Sequence, residues 1–492
     1  MINYRSTRGG GAGKTAAQAV IKGLAEDRGL YVPDSIPSLP FKISDMTGKP
    51  YKEFAKAVIS AFFTDYTDAE IQACVDGAYD SKFEADEIVP LVKAGDAYFL
   101  ELYHGKTAAF KDMALSILPY LLTAALKKEK EEKTIAILTA TSGDTGKAAL
   151  EGFADVDGTE IIVFYPSDGV SEVQKRQMIT QVGDNTHVFG INGNFDDAQT
   201  GVKKIFDDEL FNAELESKGY KLSSANSINI GRLIPQVAYY VFAYARLVEF
   251  GEIKSGDKIN IVVPTGNFGN ILAAYYAFRM GIPVNKFICA SNKNKVLTDF
   301  INTGTYDTKR EFYCTNSPSM DILISSNLER LLYHLSGGKS EEIAKLMDSL
   351  EKDGKYIVSD EIREGMRAFV GGFADEDMTL KAISDMYNES NYLIDTHTAV
   401  AYDVYRNYRK NTGDITPAVI ASTASAYKFA SSVADALGMP EQKDGFVCVK
   451  ALNEKSGVDI PKGLQNLESR EVRHSDIIDR ADLAEAVRGS LK

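Results

Sequence analysis

Two lysines lie close together in the stretch FLELYHGKTAAFKDMALS, residues 99–116. Lys111 is surrounded by small and apolar residues, where an ammonium group is costly to bury, and Lys106 lies five positions earlier. Burial lowers the pKa of a lysine by disfavouring its charged form, so that it can act as a nucleophile or a proton carrier. The alternative is an ordinary helix start from which the lysine side chain reaches solvent. Residue types alone leave both interpretations open.

A second chemical feature is PTGNFGN, residues 264–270, which we call the glycine loop. Gly266 and Gly269 remove side chains just before a predicted helix, whose free N–H groups and positive dipole end favour a bound phosphate. Asn267 and Asn270 add amide donors without adding charge. Many turns between a strand and a helix need glycine only to reverse the chain. The motif alone therefore supports anion binding and a structural turn equally.

TSGDTG, residues 141–146, is a second loop with chemical potential. Ser142, Thr145 and the backbone amides around Gly143 could bind a carboxylate. The alternative is a helix N-cap, with Asp144 or Thr145 as the capping residue. Neither this loop nor the glycine loop has the G-x-G-x-x-G spacing of a dinucleotide site.

The N-terminal segment RGGGAGKT has the appearance of a nucleotide phosphate loop. The Walker pattern requires a glycine five positions before Gly13, where this chain has Arg8, and an apolar strand before the loop. Neither requirement is met. We therefore interpret the segment as a turn before a helix that starts near Lys14.

The elements that position these loops follow a repeated order. Segments beginning near residues 133, 158 and 258 each combine an apolar, β-branched strand, a glycine-containing loop and a helix. This alternation predicts an α/β fold with parallel strands, in which ligands collect at the carboxyl ends of the strands. The preceding part, to about residue 90, is first extended and proline-punctuated and then helical, which predicts a small N-terminal domain.

Composition excludes several other classes of function. A chain of 492 residues predicts two or three domains. Its net charge of −14 disfavours nucleic acid and anionic membranes as partners. Four cysteines without a CxxC pair and no apolar run near the roughly 18 residues of a membrane span predict a soluble, cytoplasmic protein. The five histidines share no ligand spacing and no G-x-S-x-G elbow is present, so neither a metal site nor a serine triad is predicted.

A phosphate loop, a carboxylate loop and a lysine in apolar surroundings together indicate pyridoxal phosphate holding an amino acid. The chain resembles the threonine synthase family, which belongs to fold type II of the pyridoxal-phosphate enzymes. Seven segments, in the family's order, carry the resemblance over most of the chain: YRSTRG, GLYVPDSIP, HGKTAAFKD, TSGDTGKAAL, SINIGRLIPQ, PTGNFGNILAAY and ASTASAYKF. The family often has proline and leucine at the positions of Lys106 and Ala108, and His-Pro-Ala at those of Ser425, Ala426 and Tyr427.

The resemblance implies two open parallel-sheet domains and a small N-terminal domain. The expected division is residues 1–92 for the N-terminal domain, 93–132 with 236–492 for the large cofactor-binding domain, and 133–235 for a small α/β domain. The implied reaction converts O-phospho-L-homoserine and water to L-threonine and phosphate. The expected partner is a small-molecule substrate, with no nucleic acid or membrane, and the chain is expected to be a monomer or a homodimer.

The resemblance also assigns site residues. It implies that Lys111 binds the cofactor covalently and that Thr423 meets its pyridine nitrogen. The cofactor phosphate is expected on Gly266, Asn267, Phe268, Gly269 and Asn270. From the residue types of the TSGDTG loop itself, substrate contacts are expected from Ser142, Gly143, Asp144 and Thr145. For the substrate phosphate, Arg232 is the first candidate, ahead of Lys106 and Lys175, because an arginine fork suits phosphate.

Three alternatives remain. A related fold type II lyase or dehydratase, acting on another hydroxy or phosphohydroxy amino acid, would keep Lys111 and the glycine loop. A nucleotide-binding protein would use GGGAGKT and would lack a visible chromophore. A regulatory protein could bind the cofactor without turnover.

Overall fold

The computed structural model describes residues 1–11, 13–141, 143–167, 170–440 and 444–491. Its strands, in chain order, are β1 (Tyr4–Ser6), β2 (Tyr31–Pro33), β3 (Leu91–Ala94), β4 (Ala97–Glu101), β5 (Thr134–Ala140), β6 (Thr159–Pro166), β7 (Thr186–Asn192), β8 (Tyr220–Ser224), β9 (Ile259–Pro264), β10 (Val284–Ser291), β11 (Thr305–Asp307), β12 (Lys355–Ile357), β13 (Phe369–Phe373), β14 (Ala418–Ser422) and β15 (Ile477–Asp479).

The α-helices are α1 (Ala16–Lys22), α2 (Tyr51–Phe62), α3 (Asp68–Ala78), α4 (Asp112–Leu115), α5 (Leu118–Glu129), α6 (Asp144–Phe153), α7 (Glu172–Ile179), α8 (Phe195–Asp207), α9 (Glu209–Ser217), α10 (Ile230–Glu249), α11 (Gly269–Met280), α12 (Val296–Thr303), α13 (Leu328–Leu335), α14 (Ser340–Asp353), α15 (Asp360–Gly365), α16 (Glu376–Ser390), α17 (Thr396–Thr412), α18 (Ala430–Ala436), α19 (Gly445–Ser456) and α20 (Leu483–Ser490). Short 3-10 helices span Ile43–Met46, Pro318–Met320, Met366–Ala368, Ala426–Phe429 and Leu467–Ser469.

The larger sheet has the strand order β13-β10-β9-β14-β4-β3. All neighbouring strands are parallel except β3, which pairs antiparallel with β4 at one edge. The central strands β9 and β14 are buried along their whole length, as expected for parallel strands covered by helices on both faces. Because carboxyl ends of parallel strands meet at one edge, the segments that follow β4, β9 and β14 are brought together there.

The second sheet is entirely parallel, with the order β15-β7-β6-β5-β8. The predicted alternation is confirmed, since β5, β6 and β9 are followed by α6, α7 and α11. The last strand, β15, pairs with β7 in this second sheet, whereas the sequence grouped residues 236–492 in the large domain. The domain division stays a prediction, and we propose that the end of the chain belongs with the small α/β domain.

The N-terminal part is a β1–β2 ribbon with α1 between its two strands, followed by α2 and α3. The Tyr51 and Phe54 rings of α2 lie 5.5 and 5.2 Å from that of Phe242 on α10, so these helices share one core. In the GGGAGKT segment the chain turns back on itself: Tyr4 N–H donates to Lys14 O at 2.8 Å. Thr15 caps α1, so the helix begins two residues after Lys14, and Ala12 lies outside the described residues.

Within the described ranges, none of the helices is both long and apolar enough to cross a membrane.

Candidate active site

One cavity at the carboxyl ends of β9 and β14 collects most of the residues predicted from the sequence. Its volume is about 680 Å³ when the open mouth is included. The predicted residues that line it are Lys111, Asp144, Thr145, Arg232, Gly266, Asn267, Phe268, Gly269, Asn270 and Thr423. Gly143 is not among its lining residues, and Ser142 lies outside the described residues.

Lys111 is 9% exposed at the start of α4. Its Nζ lies 3.4 Å from Asp144 Oδ2 and 3.5 Å from Ser319 Oγ. Burial lowers the pKa of Lys111; Asp144 opposes this shift, while the charges of Lys428 and Arg232 add to it. The interpretation of Lys111 as a solvent-exposed lysine is therefore wrong. Lys106 is the exposed one, since its side chain is 48% exposed and pairs with Glu151 at 2.8 Å.

The TSGDTG loop is fixed by its own first residue. Thr141 Oγ1 accepts hydrogen bonds from the N–H groups of Gly143 at 2.9 Å and Gly146 at 2.8 Å. Gly143 has φ of 133°, and a Cβ on it would lie 2.6 Å from the side chain of Gln174, so glycine is required there. Gly143 is also the residue at the N-cap position of α6, so the alternative of Asp144 or Thr145 as the cap is wrong.

Asp144 is instead the first residue of α6, with its carboxylate buried in the cavity wall. Its Oδ1 lies 2.8 Å from Lys428 Nζ and accepts a hydrogen bond from Gln174 Nε2, also at 2.8 Å. Burial disfavours the ionised form of Asp144, but the charges of Lys428 and Lys111 outweigh it and hold the pKa of the carboxyl well below its usual range. The cavity therefore contains a permanent carboxylate next to Lys111.

Two carbonyl groups of the glycine loop are bonded by side chains that do not line the cavity. Ser325 Oγ donates to Gly266 O at 2.7 Å, and Asn327 Nδ2 donates to Asn267 O at 2.9 Å. Phe268 adopts the left-handed conformation, φ 62°, directly before α11. The amides of Asn267, Phe268 and Gly269 find no acceptor among the described residues. The loop thus presents free donors at the positive end of a 12-residue helix, which favours anion binding over a purely structural turn.

Arg232 provides a second group for an anion in the same cavity. It is 3% exposed, and its Nη1 donates to Ala225 O at 2.8 Å. Its Nε is buried without a partner among the described residues. Burial lowers the pKa of Arg232 to about 10, so the group stays charged at neutral pH. Lys175 does not line the cavity, and its Nζ donates to Ser167 O at 3.2 Å.

Thr423 directly follows β14 and is 5% exposed. Its N–H donates to Thr398 Oγ1 at 3.3 Å, and its carbonyl accepts from Phe110 N–H at 2.8 Å. The same two segments are joined by a further hydrogen bond, which Ser425 N–H donates to Ala108 O at 3.0 Å. The two segments in which this chain departs from the family pattern therefore contact each other. The role of Thr423 toward a pyridine nitrogen stays a prediction.

Sequence reasoning missed three groups at this site. His397 lines the cavity, its Nδ1 lies 3.0 Å from Asp395 Oδ1, and its Nε2 accepts a hydrogen bond from Ser319 N–H at 3.1 Å. Nε2 is therefore the acceptor nitrogen of the ring in this arrangement. Ser319 Oγ lies 3.3 Å from Asp144 Oδ2. The third group, Lys428, lies in the segment ASTASAYKF, but nothing in that segment indicates its role. No local pattern in the sequence indicates a role for Ser319.

The residues of the cavity fit pyridoxal phosphate. The cofactor needs a cradle for its phosphate, an amine to bind its aldehyde carbon and polar partners for its ring. The free amides of the glycine loop, together with the buried and unpartnered Nδ2 of Asn270, suit the phosphate. Lys111 is a buried amine lining the same cavity.

Comparisons with known proteins agree with this fit. A family model for the threonine synthase N terminus matches residues 3–79, and a model for pyridoxal-phosphate dependent enzymes matches residues 84–423. A third model, for the threonine synthase C-terminal part, matches residues 398–488. The three matches together extend over nearly the whole chain, and the second one contains Lys111, the glycine loop and Thr423.

The individual relatives include threonine synthases and threonine synthase-like proteins. Threonine synthase of Pseudomonas aeruginosa is 38% identical over 436 residues, which cover 88% of this chain and 90% of that one. Human threonine synthase-like 1 is 40% identical over 441 residues and 87% of this chain, but the match spans only 58% of that relative's length. The crystal structure of pyridoxal-phosphate-bound threonine synthase from Brucella melitensis matches with a TM-score of 0.87 at 35% identity, over 100% of both chains. The chain is a pyridoxal-phosphate enzyme of fold type II and belongs to the threonine synthase family.

Proposed function

We propose that the protein converts O-phospho-L-homoserine and water to L-threonine and phosphate, by elimination of the γ-phosphate and addition of water at Cβ. The observation that carries this proposal is that the cavity has a second group able to bind an anion. The glycine loop serves the cofactor phosphate, which leaves the buried, unpartnered Nε of Arg232 for an anion of the substrate. A substrate with a phosphate at its far end supplies that anion.

The residues of the cavity have separate roles in binding the substrate and in moving protons. Arg232 binds the substrate phosphate, while Thr145 and the amides at the start of α6 bind the carboxylate. The nitrogen of Lys111 moves protons at Cα, Cβ and Cγ, and its lowered pKa makes the neutral, proton-accepting form more available. When bound, pyridoxal phosphate supplies an electron sink for negative charge at Cα.

The alternative is a related lyase or dehydratase, which would also use Lys111 and the glycine loop. The test is to incubate the holoenzyme with O-phospho-L-homoserine and to measure threonine and free phosphate together. We expect equal amounts of both products. Phosphate without threonine would support a phospho-lyase instead, and a keto acid formed from serine or threonine, with no reaction of the phosphorylated substrate, would support a dehydratase.

Arg232→Ala is expected to weaken substrate binding by about 1.5–3 kcal/mol, the range of a charge-assisted hydrogen bond, and to raise KM accordingly. Cofactor content should stay normal, because the glycine loop is unchanged. The measurement is steady-state kinetics together with cofactor absorbance. Lys106→Ala is the matched control, since that lysine pairs with Glu151 at the surface, and its KM should equal that of the wild type. An unchanged KM in both variants would remove Arg232 from the site.

A further inference from the structure

Lys428 is a buried cation that the proposed mechanism does not use. Its side chain is completely buried, in the 3-10 helix that follows β14. An ammonium group has three N–H donors, and each has an acceptor here. Nζ lies 2.8 Å from Asp144 Oδ1, donates to Thr107 O at 2.9 Å and donates to Gln177 Oε1 at 3.1 Å. With all three donors engaged, Lys428 is not free to bind substrate or to carry a proton.

The carboxylate that Lys428 contacts is shared with Lys111. Asp144 Oδ1 faces Lys428, and Asp144 Oδ2 faces Lys111 at 3.4 Å. Two lysines and one carboxylate are electrically balanced only when one lysine is neutral. Since the fully engaged Lys428 is held as the cation, balance in this buried site is reached when the nitrogen of Lys111 has given up its proton.

We propose that Lys428 is a positioning residue whose fixed charge neutralises Asp144, so that the Lys111 nitrogen can release and take up a proton instead of being held in an ion pair. Without Lys428, Asp144 would pair with Lys111 alone and retain the proton on it. The proposal rests on the proposed attachment of the cofactor to Lys111, but not on the identity of the substrate.

The other charged groups around Lys111 do not replace Lys428 in this role. Arg232 lies in the same cavity and acts on Lys111 in the same direction as Lys428, but no contact of Arg232 with Asp144 is found among the described residues. His397 contacts Asp395 and Ser319 N–H, and no contact of His397 with Asp144 is found among the described residues. The buried carboxyl of Asp112, whose pKa is raised to about 6 by burial, also faces Lys428, but it accepts its hydrogen bonds from Thr107, whereas Lys428 contacts Asp144 directly at 2.8 Å. The charge on Asp144 is therefore balanced by Lys428.

The test is a pH titration of the visible absorbance of the holoenzyme, which follows the proton on the Lys111 nitrogen and requires no substrate. Lys428→Met is expected to raise the midpoint by about one pH unit, the size of effect expected from one nearby charge. Asp144→Asn is expected to lower the midpoint. Lys147→Met is the matched control. Lys147, on α6, is a buried lysine like Lys428 and pairs with Glu151 at 2.9 Å, but it does not line the cavity. Its midpoint should equal that of the wild type.

The double variant Lys428→Met/Asp144→Asn keeps the test decisive if Lys428→Met alone does not fold, because it removes both partners of the buried pair. Relative to Asp144→Asn, the double variant is expected to have a higher midpoint. The proposal would be overturned if Lys428→Met had the same midpoint as the wild type, or if the double variant had the same midpoint as Asp144→Asn. Borohydride reduction followed by peptide mapping separates this outcome from a failure of the site assignment, since a pyridoxyl label on another lysine would contradict the role of Lys111 itself.

Discussion

Lys111→Ala is expected to lower turnover by at least the roughly 10²–10⁴-fold attributed to positioned acid–base catalysis. The variant should also lose the borohydride-trapped bond between cofactor and chain, because no other lysine lines the cavity among the described residues. Some cofactor should still bind through the free amides of the glycine loop. The measurements are turnover, visible absorbance and peptide mapping after borohydride reduction of the wild type and the variant.

Lys106→Ala is the control for this experiment as well. Lys106 lies five residues from Lys111, but its side chain pairs with Glu151 outside the cavity. This variant should keep the absorbance band, the label and the turnover of the wild type. A pyridoxyl label on Lys106 or on any lysine other than Lys111 would contradict the assignment and the mechanism built on it.

The parts of the fold that could be predicted are those encoded by local patterns. Strand, glycine loop and helix follow one another within about 25 residues around β5, β6 and β9, so their order is readable from the sequence alone. The placement of the loops at one edge then follows from the parallel strands. The position of β15 was not predictable in this way, because its pairing with β7 joins segments almost 300 residues apart and neither carries a local signal.

The same distinction applies to the site. Lys111, the glycine loop and the TSGDTG loop combine unusual residue types with short spacing, and these were found. Ser319 and Lys428 act through contacts with Asp144, which lies 175 residues from Ser319 and further still from Lys428. Only the tertiary structure shows that these side chains meet. The capping alternative for Asp144 failed for a geometric reason, since Gly143 occupies the N-cap position with a positive φ.

Arg330 connects three segments behind the glycine loop. It is completely buried, and its Nε donates to Tyr31 O at 2.9 Å in the N-terminal ribbon. Its Nη2 donates to Ile228 O at 2.6 Å just before α10, and its Nη1 donates to Asn327 Oδ1. Asn327 in turn holds the carbonyl of Asn267 in the glycine loop. Burial lowers the pKa of Arg330 to about 10, so the guanidinium remains charged at neutral pH.

Arg330→Met is expected to lower the free energy of unfolding by about 3 kcal/mol, because it leaves buried oxygen acceptors without donors, each worth about 1–3 kcal/mol before any rehydration. It should also speed the dissociation of pyridoxal phosphate, since Asn327 loses the group that orients it toward the glycine loop. Urea unfolding and cofactor release measure the two effects. The control is Arg367→Met, whose side chain is 78% exposed and pairs with Glu364 at 2.8 Å, and which should cost under about 1 kcal/mol. If Arg330→Met unfolded and released its cofactor no more readily than this surface variant, the contacts of Arg330 would contribute neither to the free energy of unfolding nor to cofactor binding by the glycine loop.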